Sequence, residues 1–407
     1  MNAKHLLAAS MLLLLAACSG PVGGGIADGP DWLFTGKGPV TLTTKVPFTG
    51  EADLSLVTDL SLMADEPEVV FTATATVGED SILTIGLGKL RPGFYEVRLR
   101  DSVRFNIGVR PEKVKSPVDS HPDIKEFWDN TLSEMKQIPL DATWELVSEA
   151  SNELRQSYRI KYESFGGAIA GGLLCIPVKE GKYPVHIQYM GYGADVYNFD
   201  PSANPDRIDF LVSVRGQGIF REPEARWIDR GLDSRENFYY RGAFADAVRA
   251  VDFVATLDKA DMDRVVAYGE SQGGALTVAA AALDHRIKAI APAVPFLGDY
   301  RDYYKIVWWP VHEVMDTVDS QGLDREEVYD MLTYFDVKNL APWVECPAYM
   351  SWGLQDPTCP PHTNFAIFNN LGSREKHWWC VPTCGHAMWR EPSWPPVRDS
   401  FLSRFTD

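Results

Sequence analysis

The chain has 407 residues, 45% of them hydrophobic, which exceeds what one compact core usually serves and points to two domains or one large domain with an appendage. Its formal charge of −17 would repel a phosphate backbone or an anionic lipid surface over most of the molecule. Nucleic acid is thereby excluded as a partner class, and a neutral or weakly charged substrate fits better.

The first elements are targeting signals. Lys4 is followed by an apolar run from Leu6 to Ala17 and then by Cys18, Ser19 and Gly20, the layout of a signal peptide over 1–17. Its end, Leu15-Ala16-Ala17-Cys18, resembles the bacterial lipobox, in which the cysteine becomes the first mature residue and carries lipid. The expectation is a secreted protein, lipid-anchored to the cell envelope at a bacterial outer membrane through Cys18. The apolar run is too short to span a bilayer, and nothing later reaches the ~20 apolar residues that spanning needs. Residues 18–30 are rich in glycine and proline and read as a flexible tether.

From 31 to 110 the pattern changes to short runs of alternating apolar and polar residues. Tyr95, Val97 and Leu99 alternate with Glu96, Arg98 and Arg100, and Val103, Phe105, Ile107 and Val109 follow the same period. Turn signals such as Gly78-Glu79-Asp80 and Arg91-Pro92-Gly93 separate them, and this spacing predicts a small all-β, immunoglobulin-like sandwich. The boundary falls at Arg110-Pro111, and 111–407 reads as a second domain. Phe127, Trp128, Thr131, Leu132 and Met135 recur at helical spacing. Beyond Ser157 strand-like runs alternate with helical ones, the signature of an α/β fold with a mostly parallel sheet covered by helices on both faces. Buried strands are legible at Val185 to Tyr189, Phe210 to Val214, Val265 to Tyr268 and Ala348 to Trp352.

The strongest local signal is Gly269-Glu270-Ser271-Gln272-Gly273-Gly274, a G-x-S-x-G sequence between the strand at 265–268 and an alanine-rich helix, Ala275 to Leu283. A sharp strand-to-helix turn lifts a serine Oγ clear of the sheet, and the helix N-terminus directs positive potential at a developing oxyanion. Serine needs a base, and the base an orienting carboxylate, in the chain order Ser, acid, His. Of eight histidines, only His386 follows Ser271 in a glycine-containing loop after a strand-like run, Lys376 to Val381; His377 lies inside that run, and His312-Glu313 lacks the second histidine of a zinc motif. Asp356 follows the strand at 348–352 at its carboxyl end, where catalytic groups of such sheets collect. Ser271, Asp356 and His386 are therefore the candidate triad. The candidate oxyanion donors are the backbone N–H groups of Gln272 and Tyr192, although Met190-Gly191-Tyr192-Gly193 alone reads equally as a simple glycine turn. Five cysteines remain beyond Cys18: Cys175, Cys346, Cys359, Cys380 and Cys384. An odd number cannot all pair, and the Cys380–Cys384 spacing lacks a second ligand pair for zinc, so mostly free thiols are expected.

From about Ser116 to its C-terminus the chain resembles the acetyl xylan esterase and cephalosporin C deacetylase family of carbohydrate esterases, of the α/β-hydrolase superfamily. The resemblance is carried by Arg215-Gly216-Gln217, by Gly269 to Gly274, by Gly353-Leu354-Gln355-Asp356 through Cys359-Pro360-Pro361, by Tyr239 to Ala250 and by Pro295-Phe296-Leu297. It implies that Ser271 is the nucleophile, His386 the base, Asp356 its partner, and Tyr192 and Gln272 the oxyanion donors. It also implies hydrolysis of acetyl esters on oligo- or polysaccharides, without metal or organic cofactor. Met190 stands where the family commonly has histidine, and Ala387 where it commonly has glutamate. The family tends to form ring-like homo-oligomers, and the N-terminal β domain lies outside its usual core. Two rival readings are a carbohydrate-binding surface lipoprotein with an inactive hydrolase domain, and an esterase or peptidase of the same fold with another acyl substrate. Trp308, Trp309, Trp378, Trp379, Trp389 and Trp394 are each candidates for sugar stacking or, more commonly for adjacent tryptophans, for packing.

Overall fold

The computed structural model describes residues 22–223 and 226–407. The signal sequence and Cys18 lie outside the described residues. No described helix is long and apolar enough to cross a membrane.

In chain order the strands are β1 (Val22–Ile26), β2 (Leu33–Phe34), β3 (Val40–Lys45), β4 (Gly50–Thr58), β5 (Val69–Val77), β6 (Ile82–Gly88), β7 (Gly93–Leu99), β8 (Val103–Val109), β9 (Thr143–Leu146), β10 (Arg155–Glu163), β11 (Ile169–Pro177), β12 (Tyr183–Tyr189), β13 (Ile208–Ser213), β14 (Ala260–Glu270), β15 (Ala289–Ala293), β16 (Ala348–Gly353) and β17 (Lys376–Val381). The helices are α1 (Ile124–Lys136), α2 (Tyr239–Ala255), α3 (Gln272–Leu283), α4 (Tyr300–Ile306), α5 (Val311–Gln321), α6 (Arg325–Leu332), α7 (Val337–Leu340), α8 (Pro361–Asn370) and α9 (Trp394–Ser403).

The main sheet runs in the order β1-β17-β16-β15-β14-β12-β13-β11-β10-β9. Its strands pair in parallel from β1 to β13, and β11, β10 and β9 close the other edge in antiparallel pairing. Every residue of β13, β15 and β16 is buried, as expected of strands covered on both faces. Helix α3 is buried from Gln272 to Ala282. Its run of alanines lets it lie inside the molecule with apolar contacts all round. This is the α/β-hydrolase architecture.

Two smaller sheets, β2-β8-β7-β4-β5 and β3-β6, form the N-terminal all-β part. Alternation buries one face of each strand: β3 reads buried-exposed throughout, and Leu42, Leu56, Leu83, Val97, Leu99 and Ile107 have no exposed surface. The split is five strands against two rather than the more even halves of an immunoglobulin sandwich. This unit rests on the loop after β16. The Asn106 N–H donates to Gln355 Oε1 at 2.7 Å, Gln355 Nε2 returns a bond to the Asn106 carbonyl at 3.0 Å, and Asn106 Nδ2 reaches the Leu354 carbonyl at 3.2 Å.

The tether expected over 18–30 is corrected. Residues 22–26 form β1, which extends the main sheet in parallel register with β17, Gly24 opposite Trp378 and Gly25 opposite Trp379. A Cβ on Gly24 would lie 2.0 Å from the Trp378 indole, and one on Gly25 would lie 2.5 Å from that of Trp379. Glycine, which weakens strands elsewhere, is here what permits an edge strand to lie against two adjacent indoles.

Candidate active site

Ser271 joins β14 to α3 with φ 57° and ψ −120°, a sparsely populated conformation for a residue with a side chain. Close packing holds it there. A Cβ on Gly269 would lie 2.5 Å from the Gly273 carbonyl oxygen, and one on Gly273 only 2.1 Å from that of Tyr189. Bare glycine on both sides of the serine therefore lets α3 press onto the strand ends, while the Ser271 N–H is tied to the Ala293 carbonyl at 3.0 Å.

Asp356 follows β16 and His386 follows β17, so two neighbouring parallel strands deliver them to one edge of the serine turn. His386 Nδ1 lies 2.9 Å from Asp356 Oδ2. The other carboxylate oxygen accepts from the N–H groups of Thr358 and Cys359, each at 2.8 Å, which fixes the buried carboxylate as an acceptor. The Cys359 thiol lies close to the Ser271 side chain. Its sulfur, an Asp356 carboxylate oxygen and a His386 ring nitrogen all lie within 4.8 Å of one another. Of the three residues singled out in the sequence, Asp356 and His386 are thus joined directly, and Cys359 lies close both to them and to Ser271. Burial first, and then the Asp356 charge, push that thiol well above its ordinary pKa, so it stays neutral and packs rather than attacks. Glu270, beside the serine, has its carboxyl pushed up by burial, with Arg398 and His386 opposing.

Gln272 follows Ser271 directly, and Tyr192 follows β12, the strand paired with β14. Gln272 opens α3, so its N–H is among the first-turn donors that have no partner within the helix. The Tyr192 hydroxyl accepts from the Trp227 N–H at 3.0 Å. What joins the two is Gln217. Its Oε1 accepts from the Gly193 N–H at 2.9 Å and from Gln272 Nε2 at 3.1 Å, while its own Nε2 reaches Gln272 Oε1 at 3.0 Å and the Tyr239 hydroxyl at 2.8 Å. Arg215 of the same segment grips Asp246 with Nε at 2.8 Å and an Nη at 2.7 Å. In the sequence Gln217 and Cys359 stood out only as parts of family segments. Met190, where the family has histidine, packs in a small apolar cluster with Leu173 and Leu211.

The tryptophans divide. Trp378, Trp379 and Trp394 belong to the core, whereas Trp308, Trp309 and Trp389 are exposed, and Trp389 meets the His386 ring edge-on at 6.3 Å. Trp308 and Trp309 rim a cleft of about 470 Å³. Its other walls are Glu96, Arg98, Arg104 and Asn106 of the β unit and the loop from Asp356 to Pro361. The five thiols are all free.

With this geometry in view, residues 112–391 match the model of the family described as acetyl xylan esterase (AXE1). The chain belongs to the acetyl xylan esterase family. As a member it is a hydrolase of carboxylic esters. It is 25% identical over 317 residues to the acetyl esterase Axe7A of Xylanibacter ruminicola, covering 71% of this chain and 70% of that one. Among solved structures it resembles acetyl xylan esterase 1 from Thermoanaerobacterium sp. JW/SL YS485, with 27% identity and a TM-score of 0.67 over 73% of this chain and 98% of that one. The acetyl xylan esterase from Paenibacillus sp. R4 is similar at 29% identity and a TM-score of 0.66, again over 73% and 98% of the two chains. The family match begins at residue 112, just beyond β8, so the β unit is an addition to the family's catalytic body.

Proposed function

We propose that this family member is a serine esterase that removes acetyl groups from carbohydrates through an acetyl-enzyme intermediate. The observation that carries the reading is the Asp356–His386 hydrogen bond of 2.9 Å beside a serine held at a strained strand-to-helix turn. In the proposed reaction Ser271 Oγ attacks the acetyl carbonyl while His386 Nε2 takes its proton, and Asp356 holds the ring by Nδ1 and stabilises the imidazolium. The N–H groups of Gln272 and Tyr192 receive the developing oxyanion. His386 then returns the proton to the leaving sugar oxygen. Water, deprotonated by the same ring, attacks the acetyl-enzyme, and the ring returns that proton to Ser271 Oγ as its bond to the acetyl carbon breaks and acetate leaves.

The test compares wild type with Ser271→Ala on p-nitrophenyl acetate, p-nitrophenyl octanoate and acetylated xylan. The alanine variant is expected to lose on the order of 10⁶ in kcat. Undiminished activity of that variant would remove Ser271 from the mechanism. Octanoate cleaved as fast as acetate would remove the acetyl preference.

A further inference from the structure

A second cluster of functional groups lies where the β unit meets α4 and α8. His362 on α8 and Asp299 just before α4 are almost wholly buried, 3% and 2% exposed. Asp302 on α4 is partly buried. Each carboxylate has one oxygen held by an ammonium group: Asp299 Oδ1 accepts from Lys338 Nζ at 3.0 Å, and Asp302 Oδ1 from Lys305 Nζ at 2.7 Å. Their other oxygens face His362 Nε2, at 4.0 Å from Asp299 Oδ2 and 3.5 Å from Asp302 Oδ2. The His362 Nε2 and Asp299 Oδ2 atoms are buried and have no hydrogen-bond partner. Such orphaned polar atoms are costly unless something satisfies them.

We propose that His362 Nε2, Asp299 Oδ2 and Asp302 Oδ2 bind one divalent transition-metal ion of the zinc class. The three ligand atoms lie within 4.8 Å of one another. The 3.5 Å separation from Asp302 Oδ2 is close to the edge of about 3.3 Å that ligands 2.0–2.1 Å from a tetrahedral ion subtend, and Asp299 Oδ2, at 4.0 Å, would draw in on binding. One imidazole nitrogen with two carboxylate oxygens suits zinc or its first-row neighbours better than calcium, which takes six or more oxygens. Behind the ring, His362 Nδ1 lies 2.8 Å from Asp59 Oδ2, the arrangement in which a carboxylate fixes the tautomer of a metal-binding histidine. Asp59 follows β4 in the β unit and lines the cleft beside the loop of Asp356, while the Asp302 side chain, 19% exposed, gives the route for the ion and for a water as fourth ligand. The ion would tie α4 to α8 and, through His362 and Asp59, the β unit to the hydrolase body. It has no part in the ester chemistry and does not depend on that reading.

Without the ion, burial alone would lower the His362 pKa, but Asp59, Asp302 and Asp299 push it up to about 10. The alternative occupant of the site is therefore the proton of an imidazolium, which zinc must displace.

Full-length protein is equilibrated with Zn²⁺, desalted and analysed for metal by mass spectrometry, with melting temperatures recorded before and after a strong chelator. Wild type is expected to retain about one zinc per chain and to melt at lower temperature after chelation. His362→Gln and the partly exposed Asp302→Asn should lose the zinc and the chelator response, Asp302→Asn serving if the first fails to fold. His386→Ala should keep both, because the other cluster of potential ligands among the described residues, Asp356, Cys359 and His386, is the one assigned to the ester chemistry. Wild type without stoichiometric zinc, or with no chelator response, would overturn the proposal and leave His362 as an imidazolium strut. Zinc lost with His386→Ala but kept with His362→Gln would overturn it equally.

Discussion

Replacing Gln217 by leucine separates catalytic positioning from mere packing. Gln217 is fully buried and makes four hydrogen bonds to Gly193, Gln272 and Tyr239. After Gln217→Leu the Tyr239 hydroxyl still donates to the Arg215 carbonyl at 2.8 Å, and Gln272 Oε1 still accepts from the Tyr240 hydroxyl at 3.0 Å. Two donors are orphaned instead, the Gly193 N–H and an N–H of Gln272, at about 1–3 kcal/mol each before relaxation. The loop can relieve its share only by moving, and moving Gly193 moves Tyr192 with it. Loss of one aligned oxyanion donor costs about 10²–10³ in kcat. Folded Gln217→Leu should therefore lose about that factor in kcat on p-nitrophenyl acetate with little change in KM, and should melt at lower temperature. Gln217→Glu keeps an acceptor for both donors but sets a carboxylate oxygen against Gln272 Oε1, so it should recover activity only as pH falls and the carboxyl regains a proton to donate. A leucine variant with lowered melting temperature but wild-type kcat would refute the coupling and reduce Gln217 to a packing residue.

Three further predictions follow from burial and close approach. Burial first, then Arg207, Arg398 and Arg155, depress His186 from 6.5 to about 3. Between those values the unfolded chain binds a proton that the fold refuses, so stability rises with pH through the window and falls as pH drops below about 6.5. Going from pH 7 to pH 4.5, wild type should lose about 2–3 kcal/mol more unfolding free energy than His186→Asn, by urea titration; equal losses would mean that the imidazole is not the acid-sensitive group. Gly24→Ala forces a Cβ against the Trp378 indole and should cost about 1–3 kcal/mol, read as a lowered melting temperature; an unchanged one would mean that β1 is not docked as an edge strand. Trp308→Ala combined with Trp309→Ala should reduce kcat/KM on acetylated xylan about tenfold further than on p-nitrophenyl acetate, a difference of about 1.4 kcal/mol. Equal losses on both substrates would assign the pair to packing alone.

The legible parts of the sequence were those with a local period or a chain-order rule. Val185 to Tyr189 reads as a buried strand because its apolar run is short and β-branched, and it lies within β12. Asp356 and His386 could be named because each follows a strand that must end at the same edge of the sheet. β1 was not legible, since Gly23-Gly24-Gly25 has neither alternation nor strand propensity, and its reason lies some 350 residues away, in the indoles of Trp378 and Trp379. His362 was likewise opaque. It has no glycine loop and no second histidine nearby, and its partner Asp59 is 303 residues away in the other unit. The amide pair of Gln217 and Gln272 joins residues 55 apart, so neither local propensity nor hydrophobic pattern records it.

The placement of the β unit bears on the proposed triad through Asp356 and His386 rather than through Ser271. Ser271 is held by the sheet itself, through Gly269, Gly273 and the Ala293 carbonyl. Asp356 is held by a loop, and the β unit grips that loop just before it, through Asn106 on Leu354 and Gln355, and just after it, through Asp59 on His362. The contacts before it leave no freedom in register, because the Gln355 amide bonds both to Asn106 and to the Pro382 carbonyl of the loop that carries His386. A shift of the β unit would therefore move the loops of both the acid and the base, and leave the serine turn where it is. A unit outside the residues matched by the family can in this way tune the orientation of the His386 imidazole without touching Ser271, and the cleft it helps to enclose lies on the side of Asp356.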